Sequence, residues 1–424
     1  MAQRKVHRNA AEHDPVVITG IGMITSVGHD RESTWAAVRE GRSGVRLLEG
    51  IPGLPDGRLI GAPVDIELEY PGQLKPVPLA RRAADEALRD AEVDWQRVDR
   101  QRFGCFISGH MGDTGFVDAQ LGFDTRGPNG IPWWEQWFPN MTCKEIANRY
   151  GLWGPRVSHS VACASGLVEV LSAVRSIEDG QCDIALTGSA DAIHPLFAAG
   201  FMRMRVLAHH EDPRQACRPF DVNRNGFVMG EGAAMFVVER LSHALRRGAR
   251  IYAEFAAGKM LAEAHHVTGL DEESDALAYL ISHTLRQARI RPEELSYINA
   301  HGTGTQQNDV VESRGIRQAL GPAAESVLVS STKSMLGHLV NAAGSVELAI
   351  TTLALRDGFV PPTLNLTDPD PRCDLDFLPL VGRRHRFKHA LKLSVAFGGH
   401  LVAVALRRWS DAATGFDYPA LPAA

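Results

Sequence analysis

Three short polar runs, each containing glycine and each following a stretch that reads as a strand, hold the residue types able to do chemistry together. The first is Ser160-Val161-Ala162-Cys163-Ala164-Ser165-Gly166, set between residues 155–159 and the helix-patterned residues 167–174. It places the Cys163 thiol at a helix N-terminus, where unpaired backbone N–H groups favour an anion. A thiol there is expected to lean toward thiolate, the nucleophilic form, without a neighbouring base. The same pattern also fits a small buried thiol packed as a hydrophobe. The second run is Ala300-His301-Gly302-Thr303-Gly304-Thr305. The third is Ser330-Ser331-Thr332-Lys333-Ser334-Met335-Leu336-Gly337-His338.

Set at strand ends, His301 and His338 can each donate an Nε2–H bond to one developing oxyanion, stabilising charge where it forms in a transition state. Lys333 adds a cation able to tune a histidine or hold a carboxylate. In Phe397-Gly398-Gly399 the glycines let backbone approach a substrate, and an N–H there can complete an oxyanion hole with that of Cys163; the same turn also fits a plain hairpin. The Thr303 and Thr305 hydroxyls suit an amide-bearing arm such as pantetheine, or cap the turn. Metal binding is the rival use of the histidines, with His209-His210 and His265-His266 as further ligands. Sequence neighbours rarely chelate one ion together and no Cys/His spacing matches a zinc site, so no metal is expected.

Strand ends suit catalytic groups because a rigid sheet fixes the backbone while the turn exposes the side chain. The elements that must supply those ends alternate along the chain. Residues 16–22, 103–108 and 233–239 read as strands, and 183–187 as a short one closed by Gly188; residues 33–40, 79–91 and 240–248 have helical character. After about Ala256 a similar programme restarts, with helices at 275–288 and 344–356, strands at 295–299 and 327–331, and a terminal pair at 391–396 and 401–406. Alternation argues for α/β layers, and the restart suggests duplication. The division expected is a leader over 1–14, a nucleophile-bearing unit over 15–257, a histidine-bearing unit over 258–409 and a peripheral tail over 410–424.

A chain of 424 residues, 44% hydrophobic and 22% charged, can bury a large core and has the make-up of a soluble globular protein. Its net charge of −5 gives no global argument for nucleic-acid or bilayer binding, so an anionic partner would have to meet a local basic patch. Six cysteines without a Cys-x-x-Cys pair do not form a disulfide framework and fit a reducing, cytoplasmic setting. The polar leader is not a secretory signal, and no run of about 18 apolar residues argues for a membrane span.

Taken together, the chain resembles the β-ketoacyl-acyl-carrier-protein synthases, in particular the elongating synthases of the second isozyme class. The resemblance runs from about Val16 to Leu406. It rests on Val17-Ile18-Thr19-Gly20-Ile21-Gly22, Ala162-Cys163-Ala164-Ser165-Gly166, Arg218-Pro219-Phe220-Asp221 and Gly226-Phe227-Val228-Met229-Gly230-Glu231-Gly232. Asn299 to Thr305, Lys333 to His338, Asn341-Ala342-Ala343-Gly344-Ser345-Val346-Glu347 and Phe397-Gly398-Gly399 complete it, in order and spacing. It implies a duplicated thiolase-like α/β fold, two mixed sheets in five α/β/α/β/α layers, usually homodimeric. It also implies decarboxylative condensation on acyl-carrier protein in fatty-acid or related polyketide synthesis, without a cofactor beyond the phosphopantetheine arm that the substrates carry. Cys163 would take the acyl chain, with the N–H groups of Cys163 and Phe397 as oxyanion hole. His301 and His338 would stabilise the enolate left by carbon dioxide, and Lys333 and Glu347 would order them. Phe397, Gly398 and Gly399 match the gate, Thr303 and Thr305 the pantetheine contacts, and Arg205 a basic residue at the carrier-protein entrance.

The chain departs from that pattern in two places. Leu401 stands where the family usually has asparagine, and Val395-Ala396-Phe397 replaces most of an aromatic run, which bears on the gate. Gly109-His110-Met111-Gly112 replaces the usual pocket floor, and Trp133, Trp134, Trp137 and Phe138 fall where the acyl tunnel is lined, either as core or interface residues or as bulk that redirects the pocket. His110, Met111, Trp133 and Trp134 are thus candidates for chain selection. Three alternatives stand beside condensation. A non-catalytic partner subunit generally lacks the cysteine, and thiolase chemistry uses a different cysteine-histidine set. Acyl transfer alone needs only the Cys163 half of the site. Homodimer and heterodimer with a related subunit are both compatible with the sequence.

Overall fold

The computed structural model describes residues 14–51, 53–69, 73–109 and 138–410. Strands β1 (Val16–Thr25), β2 (Phe103–Gly109), β3 (Arg156–Val157), β4 (Ile184–Asp191) and β5 (Gly232–Arg240) form one half of a ten-stranded sheet. Strands β6 (Ala253–Ala262), β7 (Tyr297–Asn299), β8 (Leu328–Ser330), β9 (His389–Ala396) and β10 (His400–Arg408) form the other. The halves are ordered β3-β2-β4-β5-β1 and β8-β7-β9-β10-β6, the same topology twice. In each, the first three strands run parallel and the last two add antiparallel. The two mixed sheets implied by the resemblance are these halves, joined edge to edge by only two residue pairs, Val17 with Glu254 and Ile18 with Ala253.

The helices used below are α1 (Arg31–Arg39), α2 (Pro76–Asp90), α3 (Met141–Tyr150), α4 (Ser165–Glu178), α5 (Pro195–Arg203), α6 (Leu241–Arg246), α7 (Ala276–Ala288), α8 (Gln306–Leu320), α9 (Lys333–Leu336) and α10 (Ala343–Asp357). Helices α2 and α3 pack on the outer face of the first half-sheet, α4 and α10 lie between the halves, and α7 with α8 covers the second. Separate apolar clusters fill the three interfaces, typified by Leu88 with Ile107, Leu171 with Leu353, and Ile281 with Leu391. The order is α/β/α/β/α. Because both faces of each half-sheet are covered, all ten residues of β1 are buried and its sequence does not alternate. At Gly22 a Cβ would stand 1.9 Å from the Ala83 carbonyl oxygen, so the alanine-rich face of α2 rests on bare backbone. Helix α10 is buried from Ala343 to Leu355, as a helix at the centre of five layers must be.

Most expected elements are present within a few residues, and the differences have local causes. The strand expected to stop at Gly188 continues to Asp191, since Gly188 is where the Ala234 carbonyl crosses too close for a Cβ, at 2.1 Å. The division expected after residue 257 falls inside β6. Among the described residues no helix is long and apolar enough to cross a membrane.

Candidate active site

The edge strand β3 leads into a tight turn, Ala162–Ala164, that delivers Cys163 to the start of α4. Ala162 turns through a left-handed φ of 44°, an uncommon conformation for a residue with a side chain. Ser165 pins the bend: its hydroxyl accepts from the Val161 N–H and donates to the Ala162 carbonyl, both at 2.8 Å. The thiol is buried at the wall of a cavity of about 300 Å³, shared with His301, His338, Thr303, Thr305, Phe397 and Arg205.

The thiol does not lean toward thiolate as its helix N-terminus suggested. Burial pushes its pKa up to about 12, and Asp191 adds to the rise. The Lys333 charge and the N–H groups of Cys163 and Phe397 pull the other way without overcoming it. Removing a thiolate from water costs more than those N–H groups return. The two N–H groups nonetheless both face the thiol from the cavity wall.

His301 leaves the end of β7 on a loop that α8 holds from below. The Glu312 carboxylate accepts from the His301 and Gly302 N–H groups at 2.6 and 2.7 Å, and Asp309 accepts from Gly304 at 3.2 Å. His338 follows α9, and its Nδ1 accepts from the Val340 N–H at 3.1 Å. The Lys333 ammonium lies 3.3 Å from Nδ1 of His301 and donates to the His301 carbonyl and to Glu347 Oε1, each at 2.5 Å. With both Nδ1 atoms accepting, each neutral ring carries its proton on Nε2. Burial holds both imidazoles well below their ordinary pKa, and Lys333 adds to this, so they are neutral donors. Their rings stand 5.2 Å apart, nearly perpendicular.

The Cys163 sulfur and one ring nitrogen from each histidine lie within 4.8 Å of one another, as a three-ligand metal set would. Two features oppose that use. The Nε2 lone pairs are taken by protons, and the Lys333 ammonium, 3.3 Å from Nδ1 of His301, opposes a dication on that ring. His209, His210, His265 and His266 are exposed and do not join the cluster; His210 and His266 accept from local N–H groups instead.

Phe397, Gly398 and Gly399 form the turn between β9 and β10, with φ of 86° and 75° at the glycines. The Gly398 N–H donates to Val267 and the Gly399 carbonyl accepts from Glu263, so the turn is tied to the segment after β6. The Phe397 ring faces Phe201 of α5 at 6.4 Å. Leu401 is buried in β10, paired with Val395 and Leu261, so apolar packing stands at the expected asparagine position. The Thr303 and Thr305 hydroxyls meet at 2.8 Å on the cavity wall, and Arg205 is exposed at its mouth. His110, Met111, Trp133 and Trp134 lie outside the described residues.

One member of the cluster escapes the sequence reading. Lys392, fully buried on β9, places its ammonium 2.7 Å from Glu347 Oε2, so one carboxylate bridges two lysines. Its signal was a single cation inside the apolar run Ala390-Leu391-Lys392-Leu393 of a strand with no solvent face.

Residues 77–244 match the family described as Beta-ketoacyl synthase, N-terminal domain, and residues 252–367 its C-terminal domain. The tetracenomycin polyketide synthase ketoacyl synthase alpha subunit of Streptomyces glaucescens is 38% identical over 93% of this chain and 97% of its own. A 3-oxoacyl-[acyl-carrier-protein] synthase 2 of Synechocystis is 35% identical over 94% and 99%. Among solved structures, a type II polyketide ketosynthase bound to a hexaketide and in complex with its acyl-carrier protein superposes with a TM-score of 0.86 at 32% identity, over 94% of this chain and all of that one. The ishigamide ketosynthase/chain length factor gives 0.83 at 30%, over 94% and 100%. With a buried cysteine facing two neutral histidines on this five-layered frame, the chain belongs to the β-ketoacyl synthase family.

Proposed function

We propose that the protein condenses an acyl chain held on Cys163 with malonyl-acyl-carrier protein, releasing carbon dioxide and β-ketoacyl-acyl-carrier protein, in fatty-acid or polyketide synthesis. The observation that carries this is the convergence of one thiol with two neutral imidazoles, each with Nδ1 already engaged.

In the first half-reaction the Cys163 sulfur attacks the acyl thioester, the carrier's thiolate leaves, and the thiol proton goes with it. The tetrahedral oxyanion is met by the N–H groups of Cys163 and Phe397. The product thioester is neutral, so burial no longer opposes it. In the second, the malonyl carboxylate leaves as carbon dioxide and its bonding pair moves into an enolate. The enolate oxygen accepts from Nε2–H of His301 and His338. Each donor of this kind contributes about 10²–10³ in rate. The enolate carbon then attacks the acyl-Cys163 carbonyl, and collapse expels the Cys163 thiolate, which takes one proton from solvent. Lys333 and Glu347 hold His301 in its donor tautomer.

Thr303, Thr305 and the polar mouth suit the amides of a phosphopantetheine arm brought by the substrate, so the chemistry needs no resident cofactor. Arg205 at the mouth suits an acidic carrier protein. The relatives solved with a carrier protein and with a chain length factor support a carrier-protein partner, and pairing with a second copy or a related subunit. A cytoplasmic setting is part of the same proposal. Purified protein, loaded from acyl-carrier proteins and then given malonyl-carrier protein, is expected to form an adduct on Cys163 and one β-ketoacyl product per adduct. An adduct that never turns over would leave acyl transfer and refute condensation.

A further inference from the structure

Lys392 is a buried cation for which the steps above have no role, yet it is built into the site. Its ammonium lies 2.7 Å from Glu347 Oε2, 3.2 Å from the Ala300 carbonyl and 3.4 Å from that of Asn299, and it also donates to the Leu393 carbonyl. Register places Lys392 beside Asn299 in the parallel pair of β9 with β7, directly beneath the strand end that carries His301. On the other side of Glu347, Lys333 donates to Oε1 and to the His301 carbonyl. One carboxylate and a row of consecutive carbonyls, those of Asn299, Ala300 and His301, are therefore shared between two ammonium groups.

We propose that Lys392 is a positioning residue for decarboxylation: its ammonium fills an oxygen cage under the His301 strand end and balances Glu347, so that Lys333 stays directed at the His301 carbonyl and Nδ1. The inference rests on the condensation reading. Without the Lys392 charge, Glu347 draws Lys333 toward itself alone, the hold on Nδ1 slackens, and His301 can adopt the tautomer that presents a lone pair where the enolate needs a donor. Cys163 is carried by the Ala162–Ala164 turn and α4 and meets Lys392 only through Lys333 and β9, so acyl loading is expected to fall less than decarboxylation.

The test compares wild type with Lys392→Met, which fills the cage without charge, and Lys392→Ala, which empties it. Acyl loading of Cys163 and decarboxylation of malonyl-carrier protein are measured separately, with ammonium chloride or tetramethylammonium chloride at equal ionic strength. Both variants are expected to load within about threefold of wild type and to decarboxylate at least tenfold more slowly. Ammonium is expected to restore Lys392→Ala severalfold but not Lys392→Met, and tetramethylammonium, too large for the cage, neither. Decarboxylation within twofold of wild type, or parallel loss of both half-reactions without rescue, overturns the inference. Should neither variant melt cooperatively, Lys392→Gln, which keeps a donor to the carbonyls without the charge, decides on the same two readouts. Wild type that never loads Cys163 would instead sink the condensation reading itself.

Discussion

The Val340 N–H donates to Nδ1 of His338 at 3.1 Å from a left-handed backbone, φ 43°, that a β-branched residue rarely adopts. A strained residue thus sets which nitrogen of His338 carries the proton. Strain of this kind costs about 1–3 kcal/mol and persists where surrounding structure over-determines it.

Val340→Gly keeps the N–H and removes the strain while losing a partly buried side chain. The two effects oppose, so stability is expected to stay within about 1 kcal/mol of wild type and decarboxylation within about threefold. Thermal melts and malonyl-carrier-protein turnover check this. A drop beyond tenfold in turnover would show that the side chain, and not the N–H, orders His338.

The pH dependence of Cys163 follows from a pKa raised to about 12. Below that value the thiolate fraction grows tenfold per pH unit, so the alkylation rate at Cys163 is expected to climb steadily from pH 7 to 10 without a plateau. Lys333→Met removes a charge that lowers this pKa, so alkylation should slow further at every pH. Peptide-resolved iodoacetamide kinetics measure both; a plateau near pH 8 would mean the site activates its thiol before substrate arrives.

Leu401→Asn would restore the residue usual in the resembled family, yet here it buries an amide between Val395 and Leu261. A loss of about 3 kcal/mol is expected, from lost apolar burial plus an unpaired polar group. Chemical denaturation reads it. A neutral result would mean that the turn can re-form around asparagine.

Gly22→Ala places a methyl 1.9 Å from the Ala83 carbonyl oxygen and must push α2 off β1. Destabilisation on the order of 3 kcal/mol is expected from overpacking. An unchanged melting temperature would show that the contact between helix and strand is looser than described.

Much of this was legible in the sequence because its signals are local. Cys163, His301, His338 and Lys333 sit in glycine-bearing turns after strand-like stretches, and β1, α2, α10 and the β9–β10 pair follow from periodicity. Strand β6 was missed because its half-buried pattern, Ala-Glu-Phe-Ala-Ala-Gly-Lys, lacks β-branched residues, although it carries the seam between the sheets. Helix α8 was missed because its buried face is polar: Asn308, Asp309 and Glu312 turn inward to hold the His301 loop and its surroundings, which no apolar period reveals. The thiolate expectation failed because a helix N-terminus is visible in sequence while depth of burial is not. Lys392 needed a tertiary partner, Glu347, 45 residues upstream, before it meant anything.

The most direct test of the account separates the two half-reactions in His301→Ala and His338→Ala. Each variant is loaded from acyl-carrier protein, the Cys163 adduct is quantified by intact mass, and carbon dioxide release from malonyl-carrier protein is timed in a single turnover. Loading within about tenfold of wild type with decarboxylation reduced about 10²–10³-fold is the predicted result. Equal loss of both half-reactions, or decarboxylation that survives either substitution, would contradict two neutral Nε2–H donors as the source of the chemistry.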